Sequence, residues 1–209
     1  EAQMQVNPAN SETMVRLGYM LLSKGRYWHA RQRFFEALQT TNGREAELSL
    51  ALAATYMGDR QFTMAHDSYF QALQLMPEEE RAYYESIDEV ATAQEASYVR
   101  RISGEQRIIF LRKFWLRRDP TPITVVNERM LEHFRRVWFA RKNFSQGRQP
   151  WDDRGTVYIR YGEPDHRSSS KKPNFTIDPG VDIIRERYLT SIWGTTPPEA
   201  LQRGSFPVY

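Results

Sequence analysis

Ala30-Arg-Gln-Arg-Phe-Phe-Glu-Ala-Leu-Gln39 decides the fold, because it returns as Ala65-His-Asp-Ser-Tyr-Phe-Gln-Ala-Leu-Gln74, 35 residues further on. In this register Tyr27 matches Phe62, Phe34 matches Tyr69 and Ala37 matches Ala72. The segments ahead of the two copies also match: Leu17 with Leu52, Gly18 with Ala53, Leu21 with Tyr56. A recurrence of this period predicts two stacked helical hairpins over residues 10–76. Small residues at Gly18, Ala30, Ala53 and Ala65 let paired helices approach closely. Phe34 and Tyr69 are then aromatic wedges between them, and Pro77 ends the second unit because proline cannot continue a helix.

The pattern resembles the tetratricopeptide repeat (TPR), whose unit is about 34 residues with Leu-Gly, then Tyr, then Ala and Phe at helical spacing. The first unit matches well; the second lacks the glycine. The resemblance implies a groove on the first helix of each hairpin. Val15, Tyr19 and Leu22, with Leu50, Ala54 and Met57, are the apolar positions left over by the packing pattern, and an exposed apolar groove usually marks a partner site. Two hairpins alone bury too little, so helix is expected to continue from Glu78 to about Arg101. Ser103-Gly-Glu-Gln106 reads as a capping box that starts the next helix, which Asp119-Pro-Thr-Pro122 ends. A further helix is expected over about 127–143, with Met130, Leu131, Phe134, Val137, Trp138 and Ala140 inward.

Residues 151–165, Trp-Asp-Asp-Arg-Gly-Thr-Val-Tyr-Ile-Arg-Tyr-Gly-Glu-Pro-Asp, show turn signals on both sides of an alternating run. Val157, Ile159 and Tyr161 would face one way and Thr156, Tyr158 and Arg160 the other, which predicts a short strand. Together with Phe114-Trp-Leu-Arg-Arg-Asp-Pro-Thr-Pro122, this stretch is similar to the bacterial GWxTD domain family. Trp151, Asp153, Arg154, Gly155, Tyr158, Gly162, Pro164 and Asp165 are the signature positions carried over; the resemblance assigns them no catalytic role. Ile184 to Leu189 and Phe206 to Val208 echo it weakly. The chain departs at the name-giving motif, reading Pro150-Trp-Asp-Asp-Arg-Gly155 with one residue fewer and no matching Gly or Thr. Family members extend further into β structure, so the β module here is expected to be incomplete. The resemblance implies a protein exported to the bacterial periplasm or cell surface, with a cytoplasmic location left open.

The fold expected is mainly α: TPR-like hairpin repeats over 1–101, Arg-rich helices over 102–149, and a small GWxTD-like α+β module over 150–209. Hydrophobic residues make up 40% of the 209-residue chain and aromatic residues 13%, enough for a packed core. The absence of cysteine excludes disulfides and thiolate metal sites. No apolar run approaches the roughly 18 residues that span a bilayer. Residues 1–10 carry no basic-then-apolar leader, which fits a processed chain or an internal piece of a longer one.

The net charge of +3 is unevenly spread: residues 1–99 carry net −6 and residues 100–148 net +9, almost all of it arginine. Arginine's planar fork suits paired interfaces. Arg112, Arg135 and Arg136 are the charge-pairing candidates, directed at the acidic repeat region or at a partner subunit; pairing within the chain would bring Arg135 and Arg136 near acids of residues 78–95. Interleaved Trp115, Trp138 and Phe139 raise nucleic-acid binding as a further alternative, but their helical spacing places them in a core and disfavours it. Asp152, Asp153, Glu163 and Asp165 could serve a metal or an acid–base pair, which would make a small-ligand or metal-dependent enzyme centred on Asp-Arg-Gly. Turn chemistry explains the same residues more simply. His29, His66, His133 and His166 show no ligand spacing. No metal, cofactor or catalytic residue is assigned. The function expected is a non-enzymatic scaffold or accessory subunit that binds other protein subunits.

Overall fold

The computed structural model describes residues 11–40, 43–164 and 179–193. Four helices come first: α1 (Ser11–Ser23), α2 (Tyr27–Thr40), α3 (Glu45–Gly58) and α4 (Phe62–Leu75). α1 packs on α2, α3 on α4, and α2 joins the pairs by packing on α3. Phe34 and Tyr69 are fully buried, as are Ala30, Ala37, Ala65 and Ala72 of the recurring segments. The small residues act by permitting contact. A Cβ on Gly18 would lie 2.5 Å from the Phe34 ring, so the glycine is what lets the ring lie against α1. Gly58 receives the ring of Tyr27 in the same way.

Helix then continues as α5 (Glu78–Glu85), α6 (Ala93–Val99), α7 (Gly104–Leu116), α8 (Glu128–Phe144) and α9 (Asp153–Tyr161). The course of the chain through 78–101 differs from the single helix expected. No proline or glycine interrupts it, yet Ser86 to Thr92 turn away from helix. Burial of Ile87 and Ala91 beside Ala96, Val99, Phe114 and Trp115 accounts for the turn. The capping box sits at Thr92, whose hydroxyl accepts from the Glu95 backbone N–H while Glu95 reaches back. Ser103 does precede α7, but its side chain makes no capping bond.

The fold is mainly α. The strand expected over 156–161 is a helix instead, a correction with a clear cause. Gly155, Tyr158 and Ile159 are the buried positions, a spacing of three and four that only a helix turns to one side. Val157 and Tyr161, which the strand reading put on one face with Ile159, are exposed while Ile159 is buried. Among the described residues no strand occurs, and the one β-bridge joins Gln146 and Gln149.

The chain forms two compact units, residues 1–162 and 163–209. The first takes in both expected boundaries, at 101 and at 149: α8 packs on α3, α4, α5 and α9. One large core unites Phe34, Tyr69 and Tyr84 with Leu131, Phe134, Val137 and Ile159. Within the second unit, α10 (Pro179–Trp193) exposes Ile183, Ile184 and Tyr188. Asp165, His166, the stretch 167–173 and Phe206 to Val208 lie outside the described residues.

Candidate functional site

The two hairpins offer an inner surface through α1 and α3, and α8 of the same chain lies across it. Val15, Leu50 and Ala54 of the expected groove are buried. Tyr19, Leu22 and Met57 are half-buried. The Trp138 ring of α8 stacks on Tyr19 at 6.4 Å between centroids. What remains is a cleft of about 470 Å³ walled by Tyr19, Leu22, Tyr27, Met57, Trp138 and Phe139. Ala54 lines it too, whereas Leu50 lines a second cleft of about 700 Å³ on the far side of Lys142. Tyr19, Trp138 and Lys142 form part of both walls.

Lys142 is the polar feature of the first cleft that sequence reasoning missed. Its Nζ sits 2.7 Å from the centroid of the Tyr19 ring and 5.4 Å from that of Trp138. Burial lowers its ammonium to about 8, and the nearby Glu47 charge offsets only part of that. Glu47 is itself engaged by Arg44 at 2.8 Å and by the Tyr19 hydroxyl at 3.1 Å. No spacing rule marks a lysine of this kind; its setting exists only once α8 meets α1.

Glu132 and Arg135 close the other end of the cleft. The Arg135 and Arg136 Nε atoms each donate to Glu132 at 2.7 Å, within α8. Burial would raise the Glu132 carboxyl, but the hydrogen bonds and charges of the two guanidinium groups outweigh it and hold it below its usual range. Other arginines join the basic block to the acidic half: Arg141 to Glu80 at 2.6 Å, Arg118 to Glu95 at 2.8 Å and Arg100 to Asp88 at 3.0 Å. Arg112 is exposed and has no carboxylate partner among the described residues.

The Asp-Arg-Gly stretch is organised as a docking device for α9. Asp152 caps it, accepting from the Arg154 backbone N–H at 3.0 Å, and Arg154 pairs with the same carboxylate. Asp153 is exposed. Trp151 lies directly over Gly155, where a Cβ would collide with it, and meets Tyr83 edge-on. Tyr158 stacks on Phe139 at 4.3 Å, and its hydroxyl accepts from Arg135 at 3.2 Å. Arg136 donates to the Ile159 and Arg160 carbonyls, closing the end of α9. Gly162 follows with φ of +90°, and Pro164 is exposed. Among the described residues no group of three His, Asp or Glu side chains could hold a metal ion.

Gly162 supplies a direct test of this device. A Cβ there would lie 2.6 Å from Arg136 Nη2, whereas one at Gly147, also at positive φ, meets nothing within 4 Å. Gly162→Ala is expected to cost about 1–2 kcal/mol more than Gly147→Ala, since φ of +90° with ψ of −155° is a region almost reserved for glycine and the added carbon also meets the Arg136 guanidinium, whereas Gly147 has φ of +59° and open space. Urea midpoints of the two variants check it; equal losses would show that neither the backbone at Gly162 nor the Arg136 guanidinium resists the added carbon.

No family model, curated protein or solved structure matches this chain.

Proposed function

We propose that this protein is a non-enzymatic protein–protein interaction scaffold, an accessory subunit of a larger bacterial envelope or extracellular assembly. The observation that carries the reading is the first cleft. It is concave and aromatic-walled, and it offers a half-buried cation at its edge, which is how binding sites for apolar side chains are usually built. The 35-residue recurrence and the pairing of α1 with α2 and α3 with α4 support a TPR-like origin for the hairpins. The bacterial envelope setting and the small GWxTD-like α+β module rest on the resemblance of residues 114–122 and 151–165. The part α8 plays is to fill most of the inner surface in cis, leaving a narrow site rather than an open groove.

Leu22→Glu and Met57→Glu place a carboxylate in the cleft wall and leave the buried Phe34 and Tyr69 themselves unchanged. A partner that co-purifies with the native chain is expected to be lost from both variants while their thermal unfolding stays within a few degrees of the parent. Retention of that partner by both folded variants would remove the cleft from the reading. Unfolding of both would make these residues core.

A further inference from the structure

We propose that the outer face of α7, with the turn that follows it, is a docking surface for an anionic lipid membrane. α7 carries apolar side chains on both sides. Its inner side buries Phe114 and Trp115, with Phe110 and Leu111 packed against the same cluster. Its outer side exposes Ile108 at 69%, Ile109 at 46% and Leu116 at 62%. Aliphatic side chains on the outer side of a helix are normally covered, and none of the described residues covers these.

Charge says what covers the other. Arg112 and Lys113 are exposed among these aliphatic side chains, and Arg117 follows at the helix end. Arg101 is exposed just before the helix, its guanidinium turned back to the Ser97 carbonyl and hydroxyl. None of the four has a carboxylate partner among the described residues, and Glu105 is the acidic residue of this helix. The contrast with Arg100, Arg118, Arg135, Arg136 and Arg141 is sharp, since each of those is paired. Tyr98 adds a half-exposed ring, 5.0 Å from Phe110, of the kind that sits at a membrane–water boundary.

Ile108 and Leu116 lie about 12 Å apart along the axis at 1.5 Å per residue, with cations between and beyond them. A protein partner would need two separate pockets for such knobs, and protein interfaces are anchored by aromatic residues in pockets. A fluid lipid surface takes the aliphatic chains without pockets. It lets arginine and lysine extend to the headgroups while their stems stay apolar. The helix would lie flat on that surface.

The test is co-sedimentation of the full chain with vesicles of phosphatidylcholine alone and of phosphatidylcholine with phosphatidylglycerol. Binding is expected only with phosphatidylglycerol. Ile108→Ser/Leu116→Ser and Arg112→Glu/Lys113→Glu should each weaken it roughly tenfold or more. Circular dichroism and melting curves of both double variants should match the parent, because every changed side chain is exposed. Absence of binding to the anionic vesicles overturns the proposal, as does equal binding to phosphatidylcholine alone. Binding by Ile108→Ser/Leu116→Ser at the parent's strength also overturns it, since charge alone would then be at work and an acidic protein would fit the surface better.

Discussion

Phe34→Ala is expected to lower the stability of the chain by about 3–5 kcal/mol, the usual cost of emptying a buried aromatic site. The ring has no solvent exposure, meets Tyr19 edge-on at 5.2 Å and lies against Gly18. Collapse around the void is limited, because α1 and α2 already touch through a glycine. Phe35→Ala provides the contrast. That ring is 42% exposed, so its loss should cost about 1 kcal/mol or less. Urea unfolding of the two variants checks both numbers, and a loss under about 1 kcal/mol for Phe34→Ala would remove the wedge from the account of the hairpins.

A second large effect is expected on acidification, from His133. The imidazole is fully buried, and Nε2 donates to the Tyr84 carbonyl at 3.2 Å. Burial, then the neighbouring Arg129 charge, lowers it to about 4; Arg136 acts in the same direction and the backbone at Ser86 and Tyr84 opposes it only in part. In the unfolded chain histidine titrates near 6.5. Between those two values the unfolded state binds a proton that the folded state refuses, so stability falls as pH drops through this window and levels off below about 4. The total is about 3 kcal/mol, two and a half units at ~1.36 kcal/mol each. Glu132 adds its own loss lower on the scale. Its carboxyl is depressed in the folded state, so the stability it contributes is present above its unfolded value near 4.3 and disappears as pH falls through the folded one. Denaturation midpoints from pH 7 to 4 should therefore slope for the native chain and flatten in His133→Gln. The same slope in both would assign the acid sensitivity elsewhere.

The hairpins were legible in the sequence because their determinants are local and repeated. Phe34 and Tyr69 stand at one register, with alanines at fixed offsets, and a helix needs nothing more distant to be read. α8 was legible for the same reason: Asn127 caps it, accepting from the Met130 backbone N–H at 2.9 Å, and its inward residues keep one stripe. The segment 156–161 was not. Six residues with alternate apolar positions satisfy a strand template. What decides for helix is tertiary, namely Tyr158 on Phe139 and Trp151 over Gly155. The break after Glu85 escaped notice because no helix breaker marks it; it depends on Ile87 turning into a core built by α7. The six apolar positions Val15, Tyr19, Leu22, Leu50, Ala54 and Met57 stand out in the sequence as one set, yet their separation into core, first cleft and second cleft does not. That division follows from Trp138 and Lys142 arriving from more than eighty residues away in sequence.

Three rings resting on three glycines have a consequence for how such a chain can change. Tyr27 on Gly58, Phe34 on Gly18 and Trp151 on Gly155 are each one joint shared by two positions. Enlarging the glycine without shrinking the ring creates a collision, and shrinking the ring without enlarging the glycine opens a void. Either single step passes through a less stable protein, whereas the two together need not. Substitution at these joints is therefore expected to proceed in pairs. The first two pairs tie positions 31 and 16 residues apart, while the third ties positions 4 apart. In chains that share this architecture, correlated ring and glycine changes would mark where its helices touch.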